Sequence, residues 1–386
     1  MLDQNTTLSI EWIIKQDSLS EKSLQAWNEL IHRSAFVTST NSVEFNLNGL
    51  PLMKFSKPIY VLGYSSVAEQ NSPSIKKLEV AFILVQKQKS FMGFKFTLLQ
   101  TVSHDHVDMI SILGTQYLND AKCVASLKKA LNKNLQSWSM LSARRLRSIE
   151  PIKQQLVSPT YSRESAYFIL RDLNNNELEI KNIIPKKLYK NIARFERKIE
   201  KEQQGTLQLV SYTSKDDIDT GLSEFFKIEA SGWKGKTGSA VQNDSQLETF
   251  YRNSWETLSV AGFAKVFVLT TDDKAIASAI AFQSKDEIIL HKIAFDEELA
   301  QYGPGSILVK KIMEKVIDEE PVKSICFNTN PLWLKRWHAQ CYNLVALQVF
   351  NSSLKGNIIR SLFKIIDTLR TIKRQIKKND KQRKNK

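Results

Sequence analysis

The sequence predicts an α/β protein of the α+β kind: a mixed sheet with helices on its faces, built from two copies of one strand-and-helix unit. Three observations carry this. Period-two and period-3.6 apolar stretches alternate along the chain. In the second half, two strands joined by a tight turn are followed by strand, helix and strand, the order that makes a mixed sheet. A length of 386 residues exceeds one ordinary core and suits two of middling size.

Leu8, Ile10, Trp12 and Ile14 alternate as a half-buried strand. A helix starts at Ser20-Glu21, with Leu24, Trp27, Leu30 and Ile31 as its apolar stripe. Strand-rich segments follow at 58–64, 78–86 and 94–100, separated by turn chemistry at Asn71-Ser72-Pro73 and Met92-Gly93. A second helix starts near Asn119-Asp120 with Val124, Leu127, Leu131 and Leu135 on one face, and a short strand is expected at 138–141. The second half is read as a repeat of that order. A strand at Ala166, Phe168 and Leu170 leads to a helix over 185–204, opened by Pro185 and closed by Gly205. That helix sets Leu188, Ile192, Phe195 and Ile199 opposite Lys186, Lys187, Lys190, Arg194, Arg197, Lys198 and Lys201. Next come a strand at 207–212, a helix through Ile218, Leu222, Phe225 and Glu229, and a helix over 244–260. A hairpin turning at 271–274, a strand ending near Phe295, a helix from about 306, a strand through Cys326, a helix over 332–340 and a final strand complete the chain. The units divide as 1–150, a degenerate first lobe, 151–355, the working lobe, and 356–386, a basic amphipathic helix and tail.

The net charge is +15, but residues 355–386 hold twelve Lys and Arg against two Asp. The body is therefore nearly balanced and the tail is the basic object. Cys123, Cys326 and Cys341 form no CxxC, fit a reducing compartment and read as small core residues. The N-terminus carries acids and amides where a secretion signal needs a basic start and an apolar block, and no eighteen-residue apolar run occurs. A cytoplasmic protein is expected.

Gly303-Pro304-Gly305 stands at a strand-to-helix turn. Glycine reaches backbone conformations a side chain forbids, and proline fixes φ while offering no N–H. With Gly305, Ser306 and Ile307 opening the helix, free amides and the positive end of the helix dipole would face an anion such as pyrophosphate.

The segments "EASGWKGKTGSA" and 261–311 together resemble the GNAT-fold acyltransferase domain of the CelD/BcsL type, associated with cellulose and exopolysaccharide biosynthesis and akin to the FemAB aminoacyl transferases. The matching elements are Glu229 with Gly232-Trp233-Lys234-Gly235, Gly262, the 272–277 hairpin, Lys292, Phe295-Asp296-Glu297 and Tyr302-x-Pro304-Gly305. The resemblance covers about residues 165–350 and, more loosely, the first half. The superfamily's usual cradle is Arg/Gln-x-x-Gly-x-Gly/Ala, and Ala300 stands where Arg or Gln is expected. The resemblance implies tandem GNAT-like lobes and acetyl-CoA or another acyl-CoA as donor, with no metal. It implies coenzyme contacts from Ile293, Ala294, Phe295, Gly303, Pro304, Gly305, Ser306 and Ile307, a backbone N–H near 293–295 holding the thioester oxygen. Asp296 or Glu297 would be the base, directly or through water. Tyr302 would protonate the thiolate or pack against it, and Lys292 would contact substrate or phosphate. Glu229, Trp233, Lys234 and Asn328 would bind the acceptor, an amine or hydroxyl of a sugar or lipid-linked polysaccharide precursor.

"SHDHVD" (residues 103–108) has the look of a metal cluster but lacks further ligands at usable spacing. Walker, Rossmann and Gly-x-Ser-x-Gly motifs are absent. Ile358, Ile359, Leu362, Phe363, Ile365, Ile366, Leu369, Ile372 and Ile376 follow helical spacing beside lysines and arginines. This helix either meets an anionic membrane surface or docks on the body, leaving 377–386 as a loose tail. Two rival functions stand beside the acyltransferase. One is a FemAB-like transferase using aminoacyl-tRNA, its phosphates met by the basic helix at 185–204. The other is a non-catalytic scaffold in a polysaccharide synthesis complex.

Overall fold

The computed structural model describes residues 9–34, 39–54, 57–67, 75–91, 93–107, 112–147, 163–172, 176–272, 274–284, 286–319 and 322–384. Its twelve strands are β1 (Ile10–Lys15), β2 (Ile59–Val67), β3 (Ile75–Phe91), β4 (Phe94–Thr101), β5 (Met140–Arg147), β6 (Arg163–Ile169), β7 (Leu207–Tyr212), β8 (Ala264–Thr271), β9 (Lys274–Ser284), β10 (Glu287–Phe295), β11 (Ser324–Cys326) and β12 (Gln340–Phe350). The helices are α1 (Glu21–Arg33), α2 (Val43–Asn48), α3 (Ala121–Asn134), α4 (Ile180–Ile183), α5 (Lys186–Gln203), α6 (Ile218–Ser231), α7 (Trp233–Lys236), α8 (Ser245–Val260), α9 (Pro304–Glu319), α10 (Leu332–Lys335) and α11 (Leu354–Lys384).

All strands form one sheet, in the order β1-β2-β3-β4-β5-β12-β6-β11-β10-β9-β8-β7. β1 to β4 pair antiparallel in sequence, and β5 joins β4 in parallel after α3. β7 to β10 do the same, and β11 joins β10 in parallel after α9. The duplication is therefore β1–β5 against β7–β11. The strand at 166–170 is thus not the counterpart of β1: β6 follows the first unit yet pairs with β11, while β12 follows the second and pairs with β5. The two closing strands are exchanged, and they pair antiparallel with each other at the centre of the sheet.

One face of the sheet carries α1, α2, α6 and α8 over a core shared by both lobes. It includes Trp27, Phe45, Phe225, Tyr251 and Trp255, and Phe45 meets Phe250 edge-on at 5.7 Å. The opposite face is covered by α3 in the first lobe and by α9 with α5 in the second. Local signals behave as the sequence dictates at α1, where Ser20 accepts from the Ser23 amide, and at α3, capped by Asp120. Three readings change. α5 closes on Gln204 in the left-handed region (φ 53°), not on Gly205. The helix expected over 332–340 is a single turn, α10, after which His338 takes φ 58°. Cys341 is exposed, whereas Cys123 and Cys326 are buried.

Candidate active site

β10 and β11 run side by side only at 287–289 against 324–326. Beyond that they diverge, and the gap opens into a cavity of about 450 Å³ lined by the end of β10, the start of α9, Phe327, Thr329, Pro331 and Trp333. Two backbone features shape it. A 3-10 turn (Glu297–Tyr302) ends at Gly303 with φ 59°, a left-handed conformation that glycine alone takes without strain. Gly305 lies so close to Phe295 that a Cβ there would sit 3.2 Å from the ring, so a side chain at 305 would narrow the cavity.

The amides at the start of α9 are fewer than the sequence suggests. Ser306 and Ile307 both donate to the Gly303 carbonyl, and Gly303 donates to Ala300. Among residues 303–307 only the Gly305 N–H has no partner within the described residues, because the Gly303 carbonyl accepts from both Ser306 and Ile307. The first lobe shows the contrasting case. There the equivalent helix, α3, starts at Asp120, whose Oδ1 accepts from the Lys122 amide at 3.0 Å. Across the neighbouring strand ends, Arg145 meets Asp105 at 3.0 Å. A side-chain carboxylate thus caps α3, whereas α9 is closed by the Gly303 carbonyl and keeps one amide, that of Gly305, without a partner among the described residues.

A bulge at His291 sets the polar wall. Leu290 pairs with Ala281 and Lys292 with Ile280, leaving His291 as the extra residue. A bulge breaks the strict alternation of a strand, so His291 and Lys292 both line the cavity and both reach the α6/α8 side. Lys292 Nζ lies 3.0 Å from Glu229 Oε1 and 5.4 Å above the Tyr251 ring. Glu229, almost wholly buried, also receives Lys234 Nζ at 2.6 Å and the Val241 amide at 2.9 Å. Burial raises the Glu229 pKa, but Lys292, Lys234 and the Val241 amide outweigh it, and the carboxyl is held below its ordinary value. Burial lowers the Lys292 pKa, with Glu229 opposing.

The Tyr251 hydroxyl sits between His291 Nε2 and His106 Nδ1, 3.0 Å from each. A hydroxyl has one proton, so it donates to one imidazole and accepts from the other. Burial lowers the His106 pKa to about 4, helped by Lys292, and holds His291 well below the usual histidine value. His106 comes from the first lobe, so the chain crosses the lobe boundary. It belongs to the "SHDHVD" segment, in which His104 stacks on His106 at 5.5 Å; Asp108 lies outside the described residues. No group of three or more metal-binding side chains occurs among the described residues.

Of the site residues expected from sequence, Lys292, Ile293, Phe295, Gly303, Gly305 and Ser306 line the cavity. Ala294, Pro304 and Ile307 are buried behind it. Asp296 and Glu297 are both engaged elsewhere. Asp296 caps the 3-10 turn, accepting from the Glu298 amide, and pairs with Lys274 at 3.6 Å. Glu297 Oε1 accepts from the Trp233 amide at 2.8 Å, pinning the loop after α6. The Tyr302 hydroxyl bonds to Glu202, which raises its pKa. Trp233 is exposed. Asn328 is 7% exposed with φ 56°, and neither of its side-chain amide atoms has a protein partner among the described residues; its neighbours Phe327 and Thr329 line the cavity. His291, Tyr251 and His106 were not assigned to the site from sequence, since the bulge that gathers them leaves no residue-type signal.

A family model described as an acetyltransferase (GNAT) domain matches residues 186–335. No curated protein matches the sequence. Among solved structures the chain is similar to FemX, at 8% identity over 92% of this chain and 100% of that one, with a TM-score of 0.54. It is also similar to a tandem GNAT protein from the clavulanic acid biosynthesis pathway (11%, 89% and 99%, TM-score 0.43). A conserved protein of unknown function from Bacteroides thetaiotaomicron gives 9%, 87% and 99%, TM-score 0.47. The second lobe thus matches the acetyltransferase (GNAT) domain model, and the first lobe repeats its strand order within the same sheet.

Proposed function

We propose that the second lobe transfers an acyl group from acyl-CoA to an amine or hydroxyl of a sugar or lipid-linked polysaccharide precursor. The observation that carries this reading is the cavity between diverging β10 and β11, floored by His291 and Lys292 and closed by the glycine-flanked start of α9. It fits a donor with an anionic head and a narrow apolar arm: the Gly305 amide and helix dipole meet the anion, and the aliphatic and aromatic lining takes the arm. The buried Asn328 amide supplies a hydrogen-bonding group for a polar ligand, since such groups are seldom left unpaired. In the transfer, the acceptor N–H or O–H forms a C–N or C–O bond with the acyl carbon, the C–S bond breaks, and the acceptor's proton ends on the thiol. Of the two titratable side chains in the lining, Lys292 stabilises the developing oxyanion by its charge and His291, neutral, takes the proton.

Thermal unfolding with and without acetyl-CoA tests the donor. The wild type should gain several degrees at saturating coenzyme. Ser306→Asp, which places a carboxylate in the first turn of α9, should leave the free protein as stable or more so while abolishing that gain. A gain undiminished in Ser306→Asp would refute the anion site, and no gain in the wild type would count against the acyl-CoA reading. Aminoacyl-tRNA is the second reading, because the seven basic side chains of α5 are all exposed on the helix that packs beside α9. Salt-sensitive tRNA binding, lost on charge reversal of α5, would favour it.

A further inference from the structure

α11 begins on the body and leaves it. Ile359 is fully buried against Phe96, Leu98 and Met140, with Leu362 and Phe363 packed alongside. Phe363 lies 6.0 Å from both Phe91 and Phe350. The docking alternative is therefore right for the first turns of the helix. Its 31 residues span about 46 Å at 1.5 Å per residue, far more than this contact covers. A second apolar stripe starts at Ile358 and continues through Ile365, Leu369, Ile372 and Ile376. At about 100° per residue it points roughly 100° away from Ile359 and so is no extension of the docked face. Ile365, Leu369, Ile372 and Ile376 are 56%, 61%, 47% and 55% exposed, four large side chains in one row. The surrounding charge is strongly positive: residues 355–386 hold twelve Lys and Arg against two Asp.

We propose that α11 beyond its docked turns lies along an anionic lipid surface, apolar stripe down and basic side chains among the headgroups. The charge decides between possible occupants. A second copy of this helix would bring like charges together along the row, whereas an anionic leaflet neutralises them. A protein groove would satisfy the stripe but has no general need for so many cations. The helix lies on the bilayer and does not cross it, since no helix among the described residues is long and apolar enough to span. Docking of Ile359 and Phe363 on β3, β4, β5 and β12 then fixes the orientation of the shared sheet to the surface, which a loose basic tail would not do. This inference is independent of which donor or acceptor the site takes.

Flotation of the full-length protein with phosphatidylcholine vesicles, with and without phosphatidylglycerol, tests it. The wild type should float with the phosphatidylglycerol vesicles, less as salt rises, and stay behind with phosphatidylcholine alone. The double variant Leu369→Ser, Ile372→Ser should bind the anionic vesicles at least about tenfold more weakly with an unchanged melting temperature, since both side chains are exposed. Equal flotation of the two proteins, or none by the wild type, overturns the proposal. A wild-type dimer in sedimentation that the double variant converts to monomer would assign the stripe to a second copy, and overturn it too. Salt-sensitive RNA binding that survives the substitutions, without flotation, would assign the charge to another polyanion and likewise overturn it.

Discussion

Glu229 governs the cationic wall of the site. Its carboxylate stands between Lys292 and Lys234, 3.0 Å and 2.6 Å away, with only 1% of its side chain exposed. Removing a buried partner leaves the remaining charges uncompensated, and the loss exceeds the net worth of the pair. Glu229→Gln should therefore cost about 3 kcal/mol in urea unfolding, and Lys292→Met added to it should restore part of that loss. Additive costs in the double variant would show that the two groups do not depend on each other. The histidines set a pH dependence. With its folded pKa near 4 and an unfolded value near 6.5, His106 binds more protons unfolded than folded between those values. Its contribution therefore makes stability rise with pH across that window and fall on acidification. His291, depressed by burial, and His104, also lowered by burial, act in the same sense, whereas Glu229, lowered in the fold, adds its own loss at more acid pH. In His106→Asn the slope of melting temperature against pH from about 6.5 to 4 should be shallower than in the wild type; an unchanged slope would refute the assignment.

At the scale of elements, the two lobes differ at the helix N-terminus that follows the fourth strand of each unit. α3 and α9 occupy equivalent places after the fourth strand of each unit, yet α3 is capped by Asp120 and α9 by a glycine turn. Those caps were legible in the sequence, because capping is local: Ser20, Asp120 and the GPG turn act on backbone within three residues. The β8–β9 hairpin and the parallel return of β11 were legible for the same reason, through turn chemistry and alternating apolar residues. The bulge at His291 was not, since it arises from how β10 must meet both β9 and α6. Asp296 and Glu297, expected as the base, hold a cap and a loop anchor in this structure, contacts that only the folded chain reveals.

The whole molecule turns on the exchange of β6 and β12. Sequence order places β12 at the end of the second unit, but its partners are β5 and β6, a choice made by long-range pairing that no local pattern encodes. A cut between residues 150 and 151, the boundary expected from sequence, leaves β5 without the strand that covers it. Its unpaired edge would carry the buried Met140, Leu141, Ala143 and Leu146, and exposed edges of that kind invite aggregation. The second fragment would lose the Tyr251–His106 bond and the core that Trp27 and Phe45 share with Phe250. Residues 1–150 expressed alone should therefore be insoluble or lack cooperative unfolding, whereas co-expression with 151–386 should yield a complex that purifies as one species and melts in one transition. A soluble, monomeric 1–150 fragment with its own sharp transition would show that the first lobe closes its sheet without the exchanged strand, and that the two lobes fold as separate units.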